Sequence, residues 1–192
     1  FNCISTDLLK GIEQALARFE EDDSVRVVLL RANGKQFCTG ADLLEVTEAR
    51  KSKSTMRAYI DRFHAAMNDL EASALPVVCA VNGLALAGGL EIVLSCDVVF
   101  AADSAKLGDQ HAQYGLIPGG GGSQRLPRLV GLRRALDLMF SARWLDAEEA
   151  CQWGLVNYVV PAGELDDAAM AYCRAMARRN PAGLGVMKSM AR

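Results

Sequence analysis

The chain has 192 residues, of which 51% are hydrophobic and 23% are charged, and its formal net charge is −2. This length and composition are typical of one soluble globular domain with its own core. A nearly neutral chain has no basic field to attract nucleic acid or an anionic membrane surface, so neither is expected as a partner.

The first part of the chain alternates helical and strand patterns. Residues 6–20 predict an amphipathic helix, because their apolar side chains recur on one face. The run VRVVLL at 25–30 is typical of a strand that is buried on both faces, and a loop then leads into a helix at about Asp42. A longer helix is predicted over 52–72, and a second buried strand, PVVCAV, over 76–81.

The alternation continues through the rest of the chain. A short buried helix is predicted over 87–95 and a third strand over 97–102; polar residues and glycines interrupt this apolar region, which favours a buried core over a membrane span. The later predictions are helices near 123–140 and 147–153, a strand at 155–160, and helices at 164–178 and from 182 to the end. Such alternation predicts right-handed crossovers and a layered α/β domain.

One glutamate, Glu91, stands in the middle of the apolar stretch GLALAGGLEIVLSCD at 83–97. If a helix begins near Gly88, its amide has no side chain in front of it, and a carbonyl oxygen can approach closely. Glu91 lies three residues on, on the same face, and helical side chains lean toward the N-terminus. One turn then supplies an oxyanion donor and a candidate acid or base. The alternative is close packing of a helix on a strand, with Glu91 in a buried salt bridge.

Two further glycine-containing segments flank this region. CTGAD at 38–42 ends a loop and opens a helix, so the Ala41 amide is a candidate second oxyanion donor, and an ordinary turn is the alternative. IPGGGG at 117–122 is followed by Ser-Gln-Arg, whereas a phosphate loop needs Lys-Ser or Lys-Thr there. The segment is therefore predicted to be a flexible turn that caps the next helix, close to the pocket expected beside Gly88 and Glu91.

The cysteines and histidines bear on location and metal binding. The six cysteines form no CxxC pair, and several lie in apolar runs, as free buried thiols do. This usage predicts a reducing, cytoplasmic location rather than a secreted one. With only two histidines, a zinc site of the Cys/His type is not expected, and no other metal site is predicted.

Four stretches together resemble the crotonase superfamily, also called the enoyl-CoA hydratase/isomerase family. They are VRVVLLRANGKQFCTGADL (25–43), LPVVCAVNGLALAGGLEIVLSCDVVFAADSAKLGDQ (75–110), YGLIPGGGGSQRLPRLVG (114–131) and ARWLDAEEACQWGLVNYVVP (142–161). The resemblance implies an α/β fold of the crotonase (ClpP/crotonase) type, a spiral of ββα units with C-terminal helices that build a homotrimer or a dimer of trimers.

The resemblance also implies how the chain is organised. It implies a single domain over 1–192, with the spiral core to about residue 160 and the start of the C-terminal helical region at 161–192. Since chains of this family extend further at both ends, a first strand pair before Phe1 and part of the helical tail after Arg192 are expected to be missing.

The family's shared chemistry is stabilisation of an enolate made from an acyl-CoA thioester. By position, the amides of Ala41 and Gly88 resemble the two donors that hold the thioester oxygen. The segment Ala41, Asp42, Leu43 and Leu44 matches the stretch that meets the CoA moiety. The resemblance implies no metal or redox cofactor, and coenzyme A enters only as part of the substrate.

The resemblance departs from the hydratase pattern at one catalytic position. Hydratases of this family use two glutamates; the first matches Glu91, which activates water, and the second aligns with His111. His111 is a candidate proton donor to the α-carbon, since imidazole titrates near neutrality. The alternatives are a polar lining residue beside a single base, Glu91, or a different or lost reaction. Asp109 is a further candidate carboxylate, although a turn or helix cap is favoured for it.

These observations predict an acyl-CoA enzyme, an enoyl-CoA hydratase that adds water to a 2-enoyl-CoA thioester. The first alternative keeps the fold and changes the reaction to double-bond isomerisation, decarboxylation or hydrolysis of an acyl-CoA. The second is a non-catalytic subunit that binds CoA esters.

Overall fold

The structure is a computed structural model and describes residues 1–192. The helices are α1 (Thr6–Glu20), α2 (Leu43–Ala49), α3 (Lys53–Ala72), α4 (Gly88–Leu94), α5 (Gly122–Val130), α6 (Leu132–Ser141), α7 (Ala147–Gln152), α8 (Leu165–Ala177) and α9 (Pro181–Ala191). The strands are β1 (Val28–Arg31), β2 (Val77–Val81), β3 (Leu84–Leu86), β4 (Val98–Ala102), β5 (Lys106–Gly108), β6 (Leu145–Asp146) and β7 (Tyr158–Val160). Short 3-10 helices cover Ala112–Tyr114 and Ala162–Glu164.

The main sheet has four parallel strands in the order β1-β2-β4-β7. All five residues of β2 are buried, because this central strand has a neighbour on each side, is covered by α8 and lies within the hydrophobic core. This explains why its sequence is a continuous apolar run rather than an alternating one. The predicted layered α/β arrangement with parallel strands is confirmed.

A second, smaller sheet was not predicted. It has the order β3-β5-β6, with β5 parallel to β3 and antiparallel to β6. Its strands have three residues or fewer, too short to show an alternating pattern. The sheet positions the site, because β3 leads into α4 and β5 leads into the segment that carries Asp109 and His111.

One hydrophobic cluster of 38 buried residues joins the sheet to the surrounding helices. It extends from Ile4, near the start of the chain, to Cys173 in α8, and it includes the face of α3 that packs on α1. The division into a core to about residue 160 and a helical region after it stays a prediction. No helix of the structure is both long and apolar enough to span a bilayer.

The structure corrects three predicted boundaries. The first strand begins at Val28 rather than at residue 25, and the last begins at Tyr158 rather than at 155. The helical stretch near 123–140 is two helices, because the chain leaves the helical conformation at Gly131. In each case the apolar or helical pattern of the sequence extends beyond the residues that pair in the sheet or continue one helix.

Candidate active site

A cavity of about 310 Å³ lies between the start of α4, the loop before α2 and the 3-10 helix that follows β5. Ten of its fifteen lining residues are hydrophobic, among them Phe63, Leu116 and Trp144. Ala41, Gly88 and His111 all line it. The structure therefore brings three predicted site residues, from distant parts of the chain, to one apolar cavity.

The two predicted oxyanion donors lie on adjacent segments. Gly88 is the first residue of α4, so its amide has no acceptor within the helix. The Ala41 amide donates no backbone hydrogen bond, since the bridge to Ile4 uses the carbonyl of Gly40 and the amide of Asp42. Gly40 has φ +102°, and a Cβ there would lie 3.6 Å from the Gly88 nitrogen. The two segments approach closely because this position has no side chain.

The glycine pair also serves packing. A Cβ at Gly88 would lie 2.8 Å from the Ile4 side chain, and one at Gly89 would lie 2.1 Å from the backbone oxygen of Cys38. Gly89 therefore permits close packing of α4 on the loop at Cys38, whereas the alternative interpretation of this pair expected packing on a strand. The two interpretations of the sequence do not exclude one another, because one glycine faces the cavity and the next faces the loop.

Glu91 is 1% exposed, and its two carboxylate oxygens have different surroundings. The Oε1 atom accepts hydrogen bonds from the amides of Gly120 and Gly122, each 2.8 Å away. The Oε2 atom is buried and accepts no hydrogen bond. One oxygen is thus fixed by the backbone, and the other keeps its lone pairs free for a proton.

His111 stands between Glu91 and the cavity. Its Nε2 atom lies 3.5 Å from Glu91 Oε2, within ion-pair distance but too far for a normal hydrogen bond. Its Nδ1 atom lies 2.9 Å from Asp109 Oδ1, and its backbone amide donates to the same oxygen at 3.1 Å. Asp109 therefore forms the turn expected of it and also orients the imidazole.

The charge state of His111 follows from these contacts. Burial disfavours the charged ring, but the hydrogen bond to Asp109 and the interactions with both carboxylates outweigh burial and raise the pKa of His111 to about 9. At neutral pH the ring is therefore an imidazolium ion, with protons on both nitrogens. Glu91 and His111 together offer a free carboxylate oxygen and an acidic N–H within 3.5 Å of each other.

The segment predicted to meet the CoA moiety divides into three environments. The Asp42 side chain accepts from the amides of Leu44 and Glu45 and so caps α2. Leu43 lines the cavity, whereas Leu44 points outward and is 80% exposed. Neither Asp42 nor Leu44 lines the cavity, nor does Glu91 itself, which lies behind His111. A CoA-binding role for this segment stays a prediction.

Sequence reasoning missed the residues that hold Glu91. The amides of Gly120 and Gly122 come from a segment that was interpreted only as a capping turn near the pocket. The same segment is held from behind by Arg125, which donates to the Gly120 carbonyl oxygen at 2.7 Å. The signal available in the sequence was a run of four glycines followed three residues later by an arginine. The amides of such a run could bind the one glutamate that stands inside an apolar stretch.

Comparisons with known proteins identify the family. The model of the enoyl-CoA hydratase/isomerase family matches residues 1–192. The chain belongs to that family. It is 40% identical over 178 residues to human mitochondrial methylglutaconyl-CoA hydratase. The aligned part covers 92% of this chain and 52% of the human protein.

Solved structures of the enoyl-CoA hydratase/isomerase family confirm the crotonase fold. An enoyl-CoA hydratase from Bacillus anthracis superposes with a TM-score of 0.92 and 37% identity, covering 97% of this chain and 72% of that one. Pseudomonas aeruginosa DspI superposes with a TM-score of 0.94 and 33% identity, covering 98% and 77%. The chain spans about half the length of the human relative, so the activity of a complete protein is a separate question.

Proposed function

We propose that this chain carries the active site of an acyl-CoA hydratase, which adds water to a 2-enoyl-CoA thioester. The observation that carries the proposal is the pairing of the free Oε2 of Glu91 with the protonated ring of His111, beside two amides without backbone acceptors. General acid–base addition needs a base, an acid and a site for negative charge, and these groups supply all three.

The proposed reaction balances within these groups. The amides of Ala41 and Gly88 hold the thioester oxygen as it becomes an enolate oxygen. Glu91 does not line the cavity, so the reacting water must enter between its Oε2 and the substrate, beside His111. Glu91 then accepts one proton from this water while the water oxygen bonds to C3, and His111 donates one proton to C2. Glu91 is then protonated and His111 neutral, and transfer of a proton across the 3.5 Å between them restores both. The only coenzyme that this reaction needs is the CoA of the substrate.

The names of the relatives support a hydratase. They include methylglutaconyl-CoA hydratase from human and a probable enoyl-CoA hydratase from Arabidopsis thaliana. These names describe reactions of those proteins, and the departure at His111 makes the reaction of this chain a matter for direct assay.

The test is turnover of crotonyl-CoA, followed by loss of its enoyl-thioester absorbance. Glu91→Gln is expected to lower kcat by about 10²–10⁴-fold, the usual contribution of a general acid or base. Glu148→Gln is the matched control, because that glutamate is exposed on α7 and has no hydrogen-bond partner for its side chain. His111→Ala and His111→Glu show whether the imidazole supplies the second proton. A Glu91→Gln variant with near wild-type turnover would overturn the proposal.

A double-bond isomerase is the second candidate. It is favoured by the single free carboxylate oxygen, since one base moves a proton between two carbons without activating water. Incubation with a 3-enoyl-CoA separates the two reactions, because an isomerase yields the 2-enoyl ester and a hydratase leaves the 3-enoyl ester unchanged. Binding of CoA esters without turnover on either substrate would instead support the non-catalytic alternative.

Assembly and location remain part of the proposal. A homotrimer or dimer of trimers is supported by large exposed apolar side chains on α6 and α9, among them Phe140 and Met190, and light scattering after gel filtration tests it. A cytoplasmic location rests on six free cysteines, whereas the human relative is named as mitochondrial. Localisation of a tagged full-length protein distinguishes these compartments.

A further inference from the structure

Arg125 is a buried cation that no step of the proposed reaction uses. It lies in the first turn of α5 and is 5% exposed. Its Nε and Nη2 atoms donate to Glu71 Oε2 at 2.9 and 2.6 Å, and Nη2 also donates to Asn68 at 2.8 Å. Its remaining terminal nitrogen, Nη1, donates to the Gly120 carbonyl oxygen at 2.7 Å. The guanidinium thus joins α3 to the segment that clamps Glu91.

The stability of α5 does not account for this position. A positive charge near a helix N-terminus interacts unfavourably with the helix dipole. Burial of an arginine also costs free energy unless each of its donors finds a partner. Four hydrogen bonds offset the burial cost at Arg125, so the charge near the helix N-terminus is the local cost that remains. A position that breaks a local rule in this way is a candidate for a functional constraint.

The contacts show what Arg125 constrains. Gly120 donates its amide to Glu91 Oε1 and offers its carbonyl to Arg125, so one residue transmits the position of the guanidinium to the carboxylate. Gly121 has φ +101°, and a Cβ there would lie 2.1 Å from Arg125 Nη1. The guanidinium therefore occupies the space of a missing side chain, and the chain wraps around it between the two amides that hold Glu91.

We propose that Arg125 is a positioning residue for Glu91, an inference that rests on the proposed function. By fixing the peptide between Gly120 and Gly121, it keeps both amides directed at Oε1. Oε2 is then held 3.5 Å from Nε2 of His111, where the proton is exchanged. Arg125 does not touch the cavity, so its effect falls on the chemical step rather than on substrate binding.

The test compares Arg125→Met with Arg128→Met. Arg128 is the matched control, because it lies one turn further along α5, is exposed and forms no ion pair. Arg125→Met is expected to lower kcat on crotonyl-CoA by up to about 100-fold, the cost of misplacing a reacting group by about 1 Å, with KM little changed. Arg125→Lys keeps the charge but not the planar fork, and an intermediate kcat is expected.

A nuclear magnetic resonance titration of His111 separates positioning from a purely electrostatic effect. Removing a nearby positive charge by itself raises the pKa of a histidine. If Arg125→Met instead lets Oε2 move away from Nε2, the pKa of His111 falls from about 9. A fall together with a loss of kcat supports the proposal, whereas a folded Arg125→Met with wild-type kcat and an unchanged or raised pKa overturns it.

Two further outcomes keep the inference distinct from the proposed function. If Arg125→Met does not fold, Glu71→Gln replaces it, since this change weakens the anchor of the guanidinium and leaves its bond to Gly120. A smaller fall in kcat and in the His111 pKa is then expected, and wild-type values overturn the inference. If the wild-type chain does not hydrate crotonyl-CoA, the proposed function fails, and the titration alone decides whether Arg125 positions Glu91.

Discussion

The charge on His111 makes the stability of the fold depend on pH. The ordinary pKa of histidine, 6.5, applies to the unfolded chain, whereas the folded value is about 9. Since folding raises the pKa, the charged ring stabilises the fold fully below pH 6.5, and this contribution is lost as the pH rises through about 9. Each pKa unit corresponds to about 1.4 kcal/mol, so the contribution is about 3 kcal/mol.

Urea unfolding of the wild type and of His111→Gln across this range measures the effect. The difference in unfolding free energy between the two proteins is expected to be largest below pH 6.5 and to shrink by about 3 kcal/mol above pH 9. Taking the difference cancels groups common to both chains. A difference that stays constant, or grows as the pH rises, would refute the claim that Glu91 and Asp109 hold the ring in its charged form.

His64→Gln is the matched control for this experiment. His64 is the other histidine of the chain, and its side chain is exposed on α3 without an ion-pair partner. Its replacement is expected to change the unfolding free energy by no more than about 0.5 kcal/mol.

Three other predictions concern the glycines and the acid–base pair. Gly89→Ala is expected to abolish folding, because its methyl group would lie 2.1 Å from a backbone oxygen, and soluble yield and circular dichroism measure this. Gly11→Ala is the control: this position lies inside α1 with open space around it, so alanine should raise the free energy of urea unfolding by up to about 1 kcal/mol. Glu91→Gln is expected to lower the pKa of His111 by removing a charge 3.5 Å from Nε2, and a titration that still gives about 9 contradicts the assigned pairing. Asp109→Asn should lower the same pKa and reduce kcat on crotonyl-CoA, and wild-type kcat would show that the orienting bond is not needed.

The sequence by itself determined the elements that have a clear period or a continuous apolar run. Helix α1 was predicted at its observed bounds, because four turns of amphipathic pattern leave little choice of face. Strand β2 was recognised from its continuous apolar run, which reflects the burial of both faces. Glu91 was recognised because burial of a carboxylate among aliphatic residues is costly unless it is paired or functional. The glycines before Glu91 located the start of α4 and hence the Gly88 amide, one of the two proposed oxyanion donors.

Only the tertiary structure decided what surrounds Glu91. The amides that hold Oε1 lie 29 and 31 residues further along the chain, and the anchor of Arg125 on Glu71 spans 54 residues. The small sheet contains β5, which leads into the segment that carries His111, and its strands are too short to show a hydrophobic period. Hydrophobic periodicity reports which face of a segment is buried, whereas contacts between distant segments depend on how the layers pack, and no local pattern records them.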